Sequence, residues 1–170
     1  WSRHLPAGYF DHPPVIAWFI RVGTVLLGDT PLGVRFLPVL AGLVAGWAVM
    51  RTAGRLAGDG AGDAAPVAFV AVPVMSGVFV LGTPDAPLLA FAALTLWSVT
   101  AAEEAPASTG RLAWWLGAGL GAGLAMASKY TGIILPVALF VRLLASWPLP
   151  SPPRASSPRS RATGYCPTSI

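Results

Sequence analysis

Charge is scarce in this chain, and most of it sits at the ends of long apolar runs. Five such runs recur, at about 33–50, 64–82, 86–102, 112–128 and 130–145, each separated from the next by short polar, proline or glycine punctuation. Only 11% of the 170 residues are Asp, Glu, Lys or Arg, against about a quarter in an ordinary soluble domain. A water-exposed globule of this size would lack the charge to cover itself, so the solvent implied is lipid. Crossing the hydrocarbon core as a helix takes about 20 residues, with a range of roughly 17–25, and most of the runs fall near the lower limit. A closed barrel needs alternating strands of about ten residues, whereas these runs are continuous and rich in Leu, Ala and Gly. The sequence therefore predicts an all-α integral membrane protein, a polytopic bundle of about five transmembrane helices within residues 1–145.

Residues 13–28 form a sixth apolar patch, shorter and interrupted by Arg21. Pro13 and Pro14 suit a helix start, where a missing N–H costs nothing. An amphipathic helix lying in the membrane interface, with Trp18 at headgroup depth, fits this patch better than a span. The run Gly117-Ala-Gly119-Leu-Gly121-Ala-Gly123 resembles a nucleotide loop only superficially, because no strand precedes it and the surrounding run carries no charge. Gly117/Gly121, Gly119/Gly123 and Gly42/Gly46 instead have the four-residue spacing that brings membrane helices close. Residues 146–170 hold six prolines, six serines and three arginines, a composition expected to stay disordered. One cysteine, Cys166, excludes an intrachain disulfide framework and a cysteine-rich zinc site. The net charge of +4 resides in arginines flanking the runs and in the tail, which points to the bilayer as partner and not to nucleic acid. Trp1 in place of a methionine, with no signal-peptide pattern, reads as the start of a segment of a longer gene product.

Arginine placement sets an orientation. Arg51, Arg55, Arg111, Arg142, Arg154, Arg159 and Arg161 fall on one side, and Arg3, Arg21, Arg35 and Lys129 on the other. The positive-inside rule makes the first set cytoplasmic. Asp11 and His12 precede the first span, Asp85 follows the second and Lys129 follows the fourth, so an even number of crossings puts all four on one face, the outer one. The turn Thr83-Pro84-Asp85-Ala86-Pro87 leaves almost no loop, and Ser128-Lys129-Tyr130 is as short. Ionisable groups at that depth are costly unless paired or hydrated, which makes them functional candidates. The bland alternatives are a helix-capping role for Asp85 and a snorkelling role for Lys129. Asp59, Asp63, Glu103 and Glu104 lie on the opposite face and read as solvated.

The stretch Gly8-Tyr-Phe-Asp-His-Pro-Pro14, then Ala17-Trp18 and Gly33-Val-Arg35-Phe-Leu-Pro38, resembles the first outer loop and second span of bacterial family 39 glycosyltransferases. These are relatives of the dolichyl-phosphate-mannose protein mannosyltransferases and of the aminoarabinose transferase. Thr83-Pro84-Asp85-Ala86-Pro87-Leu88 resembles their second outer loop, and Ser128-Lys129-Tyr130-Thr131 the end of a later helix. The resemblance covers residues 1–145 and implies the N-terminal part of a GT-C fold, in a multi-pass protein of the cell membrane with a periplasmic or extracellular active face. It implies a polyprenyl-phosphate-linked sugar as donor, inversion at the anomeric carbon, and a protein, lipid or glycan acceptor. Carried over by position, Asp85 and Asp11 are the catalytic acids, and His12 and Lys129 face the donor phosphate. No cofactor is assigned, although some members use a divalent metal at the position of Asp11. The family's first loop normally opens with an acid upstream of Trp1, where the main base is expected. The chain is therefore read as a glycosyltransferase fragment not competent alone. Rival readings are a transporter or flippase subunit, with broken helices and intramembrane charge pairs, and a non-catalytic membrane remnant.

Overall fold

The computed structural model describes residues 14–106 and 109–145, and every regular element among them is helical. The predicted tail at 146–170 lies outside the described residues. In chain order the elements are α1 (Val15–Leu27), α2 (Pro31–Ala57), α3 (Asp59–Ala71), α4 (Pro73–Leu81), α5 (Asp85–Glu104) and α6 (Thr109–Ser128). A 3₁₀ turn (Tyr130–Ile133) and α7 (Ile134–Ala145) complete the series.

The helix boundaries follow local chemistry. The Thr30 hydroxyl accepts from the Gly33 N–H at 3.1 Å and Pro31 occupies the first helical position, so α2 opens with a side-chain cap and no wasted donor. It ends at Gly58, whose φ of 85° is open to glycine and strained for other residues. The loop expected over 51–63 thus shrinks to this one glycine, with α2 extended to Ala57 and α3 beginning at Asp59. The run expected at 64–82 is two helices, α3 and α4, bent by 68° about Val72. Pro73 causes the break, since it cannot donate to the α3 ladder, and the Ser76 hydroxyl donates to the stranded Val70 carbonyl at 2.6 Å.

The interior is built from small residues. Ala41, Ala45 and Ala48 of α2 and Ala86, Ala90 and Ala93 of α5 form two seams of identical spacing, closed by Phe79 of α4. Large side chains lie outside: Leu56 is 72% exposed, Leu43 69% and Leu120 66%. This inversion makes no sense in water, where exposed leucines would forfeit their burial energy. In lipid it is the expected arrangement, because close approach of small residues drives helix association and leucine is already solvated. By length and apolarity α2 and α5 qualify as spans, and α3 with α4 makes a third if the bent pair is one crossing. The α6 helix matches α5 in length but does not reach the same hydropathy over a span-length window. Tyr130–Ala145 and Val15–Leu27 are shorter apolar helices.

Glycine spacing is only partly used. A Cβ on Gly121 would lie 2.6 Å from Thr95 Oγ1 and 3.3 Å from the Phe91 carbonyl oxygen, and one on Gly117 3.5 Å from Ser98 Oγ, so this pair faces α5. Gly119 and Gly123 face open space, as does Gly46, while Gly42 meets the Phe79 ring. The reason is geometric: positions two apart on a helix diverge by most of a half-turn, so both pairs cannot face one partner. Gly121→Ala is expected to cost about 1–3 kcal/mol by overpacking, because Thr95 is held by its own bond to the Phe91 carbonyl at 2.7 Å. Gly123→Ala should be neutral or slightly stabilising, and thermal unfolding of both variants in detergent checks the difference.

Candidate functional site

Two helix breaks deliver the site. At the first, Gly82 ends α4 in the left-handed region (φ 69°, ψ 44°), and its turn leads into Thr83-Pro84. The Ala86 N–H bonds back to the Thr83 carbonyl at 3.0 Å, so Asp85 enters α5 within its first turn. At the second, Lys129 adopts an extended conformation (φ −159°, ψ 141°) between α6 and the 3₁₀ turn. Gly132 packs against the Ala125 backbone, so tightly that a Cβ there would overlap the Ala125 carbonyl. That contact folds the turn back onto the end of α6.

Across the gap, Lys129 Nζ donates to Asp85 Oδ1 at 2.6 Å. The two lie 44 positions apart in sequence, and the crossing-parity argument put them on the same face. Their side chains are 40% and 35% exposed respectively, so the pair is open to a ligand. Asp85 makes no capping hydrogen bond; Pro84 holds the cap position. The simple capping role is therefore replaced by an ion pair, while the first-turn location still favours the carboxylate through the helix dipole. Lys129 does not snorkel freely, since its ammonium is fixed by the carboxylate. An ammonium has three donors; among the described residues two remain, as does the second carboxylate oxygen.

Asp11 and His12 lie outside the described residues. The helix they precede is docked: Val15, Ile16 and Ala17 are buried, and the Phe19 ring meets Phe91 of α5 edge-on at 6.3 Å. Arg21 and Trp18 are exposed. Among the described residues no three His, Cys, Asp or Glu side chains converge as metal ligands. A metal involving Asp11 is left unassigned.

Glu103 and Glu104 are not simply solvated. Glu103 Oε1 accepts from Arg142 at 2.6 Å, and Glu104 Oε2 lies 3.2 Å from Arg55 Nε. Arg55 also donates to the Trp97 carbonyl at 3.3 Å and sits 5.9 Å over its ring. Trp97 stacks edge-on with Trp47 at 4.6 Å and Trp114 at 4.8 Å. Sequence reasoning missed this girdle because each partner lies on a different helix, and only the helical register of α5 places Trp97 and Glu104 near Arg55. It ties α2, α5, α6 and α7 together about 18 Å (Trp97) to 28 Å (Glu104) along α5 from Asp85, at 1.5 Å per residue.

Alanine-seamed helices with an open ion pair at one end define a membrane-embedded helical domain with a polar site at its boundary. The chain belongs to the dolichyl-phosphate-mannose-protein mannosyltransferase family, whose model matches residues 11–152. It is 34% identical over 131 residues to a lipid A galacturonosyltransferase (RgtD) of Rhizobium johnstonii, covering 76% of this chain and 27% of that protein. Its fold matches the crystal structure of ArnT from Cupriavidus metallidurans in the apo state with a TM-score of 0.69 and 26% identity, over 82% of this chain and 27% of that one. The chain thus spans about a quarter of the length of the relatives it matches, and these relatives are membrane glycosyltransferases.

Proposed function

We propose that this chain forms the donor-phosphate side of a glycosyltransferase that moves a sugar from a polyprenyl phosphate to an acceptor at the outer face of the cell membrane. The observation that carries the reading is the half-open Asp85–Lys129 pair at 2.6 Å, held where two helix breaks meet. Breaking the sugar–phosphate bond builds negative charge on the leaving phosphate. The two N–H donors of Lys129 that are unused among the described residues supply preorganised compensation for that charge. The unused oxygen of Asp85 orients the acceptor nucleophile or takes its proton. Asp11 and His12 precede the buried start of α1 and are assigned to the same face, His12 toward the phosphate and Asp11 as a second acid. In this reading α6 and residues 130–145 also cross the bilayer, giving five crossings with α1 in the interface.

The exposed leucines around the bundle suit a donor whose tail stays in lipid while its head reaches a polar pair at the boundary. The chain reconstituted in nanodiscs is expected to bind an undecaprenyl phosphate probe saturably. Lys129→Gln should weaken that binding by about tenfold, the scale of one charge-assisted phosphate contact. Equal binding by both proteins would sink the assignment of Lys129.

A transporter or flippase role is favoured by one feature, the 68° break between α3 and α4. That break carries no charged residue, and the ion pair lies at the first turn of α5 and not at the break, which is why the transferase reading ranks first. Solute uptake by proteoliposomes without sugar transfer would reverse the ranking.

A further inference from the structure

Arg51, Arg55, Asp59 and Asp63 line one open cavity of about 370 Å³ between the end of α2 and the start of α3, together with Gly54 and Gly62. Two of its lining glycines face each other closely: a Cβ on Gly62 would lie 3.1 Å from the Gly54 Cα and 3.3 Å from the Met50 carbonyl oxygen. Arg55 is already engaged by Glu104 and the Trp97 carbonyl. Arg51, Asp59 and Asp63 make no side-chain hydrogen bond or ion pair among the described residues, although they border the same space. Asp59 and Asp63 are one turn apart and share a face of α3, as Arg51 and Arg55 share a face of α2.

Charges of opposite sign that face one cavity without touching select the ligand. An anion alone would meet two carboxylates, and a cation alone two guanidiniums. A zwitterion satisfies both walls. Depth selects further. The 27 residues of α2 reach about 40 Å, against a hydrocarbon core of about 30 Å, so its last turns stand at headgroup level. Carboxylates favour an ammonium that carries N–H donors over a quaternary one, and among the described residues no aromatic side chain lines the cavity to hold a trimethylammonium.

We propose that the α2–α3 cleft binds the headgroup of an aminophospholipid, its phosphate on Arg51 and Arg55 and its primary ammonium between Asp59 and Asp63. The site lies at the opposite end of the bundle from Asp85–Lys129 and stands whether or not the donor assignment does.

Native mass spectrometry of the full chain, released from nanodiscs with equal phosphatidylethanolamine, phosphatidylcholine and phosphatidylglycerol, tests it. One phosphatidylethanolamine should be retained with about fivefold preference, the scale of one or two half-exposed ion pairs. Asp59→Asn with Asp63→Asn should erase the preference over phosphatidylcholine, and Arg51→Gln should lower retention of both. These positions are exposed, and circular dichroism and gel-filtration elution matching the wild type establish that the variants fold. Equal retention of the three lipids, or a preference undiminished in the double asparagine variant, would overturn the proposal.

Discussion

Replacing Asp85 with asparagine in an active transferase containing these residues is expected to lower sugar transfer by about 10²–10⁴-fold, the usual yield of a positioned acid or base. Insertion and thermal stability should barely change. The two effects separate because the pair is more than a third exposed, and ion pairs of that kind contribute only about 0–1 kcal/mol to folding. Asparagine keeps the side chain's shape and its place in the first turn of α5 while removing the charge and the proton acceptor. A structural role for Asp85 predicts the opposite pattern, a shifted melting temperature with transfer intact. Steady-state transfer assays beside thermal unfolding decide between them.

The second large effect concerns α1, the helix that follows Asp11 and His12. It crosses α2 at Gly23 and Gly33, where a Cβ on Gly23 would overlap the Gly33 carbonyl and one on Gly33 would overlap the Gly28 carbonyl. Backbone cannot step aside as a side-chain rotamer does. Gly33→Val is therefore expected to cost about 3 kcal/mol, the upper end of overpacking, and to release α1 while α2 and α5 stay paired through their alanine seams. Hydrogen exchange should rise across Val15–Leu27 and remain slow in Ala86–Ala102. Gly46→Ala, which meets nothing within 4 Å, is the matched control. Unchanged protection of α1 in Gly33→Val would show that the crossing is not what docks it.

Sequence pattern made the membrane class legible and put Asp85 and Lys129 on one face for one physical reason, while their pairing was not foreseen. Apolar runs near bilayer length give an expected number of crossings between two residues, and parity then assigns their side without knowledge of packing. Distance was not legible. The 2.6 Å contact depends on Gly82 in its left-handed turn and on Gly132 folding onto Ala125, and neither glycine differs in sequence from those facing lipid. The same limit hid the partners of Glu103 and Glu104, which lie on α7 and α2. It hid the Pro73 break as well, because an apolar run containing proline reads equally well as a kinked span or as two helices. Glycine spacing overstated its case at Gly119/Gly123, since a period of four names a face of the helix and not its neighbour.

The central claim is that the Asp85–Lys129 end of the bundle receives the phosphate of a lipid-linked donor. Photo-crosslinking of the reconstituted chain with a polyprenyl phosphate carrying its reactive group near the phosphate, followed by peptide mapping, tests this most directly. The account predicts labels concentrated at residues 82–88 and 128–132, and their loss when unlabelled polyprenyl phosphate competes. Labels spread evenly over exposed leucines such as Leu43, Leu56 and Leu120, or gathered at the Arg51–Asp63 end, would contradict it.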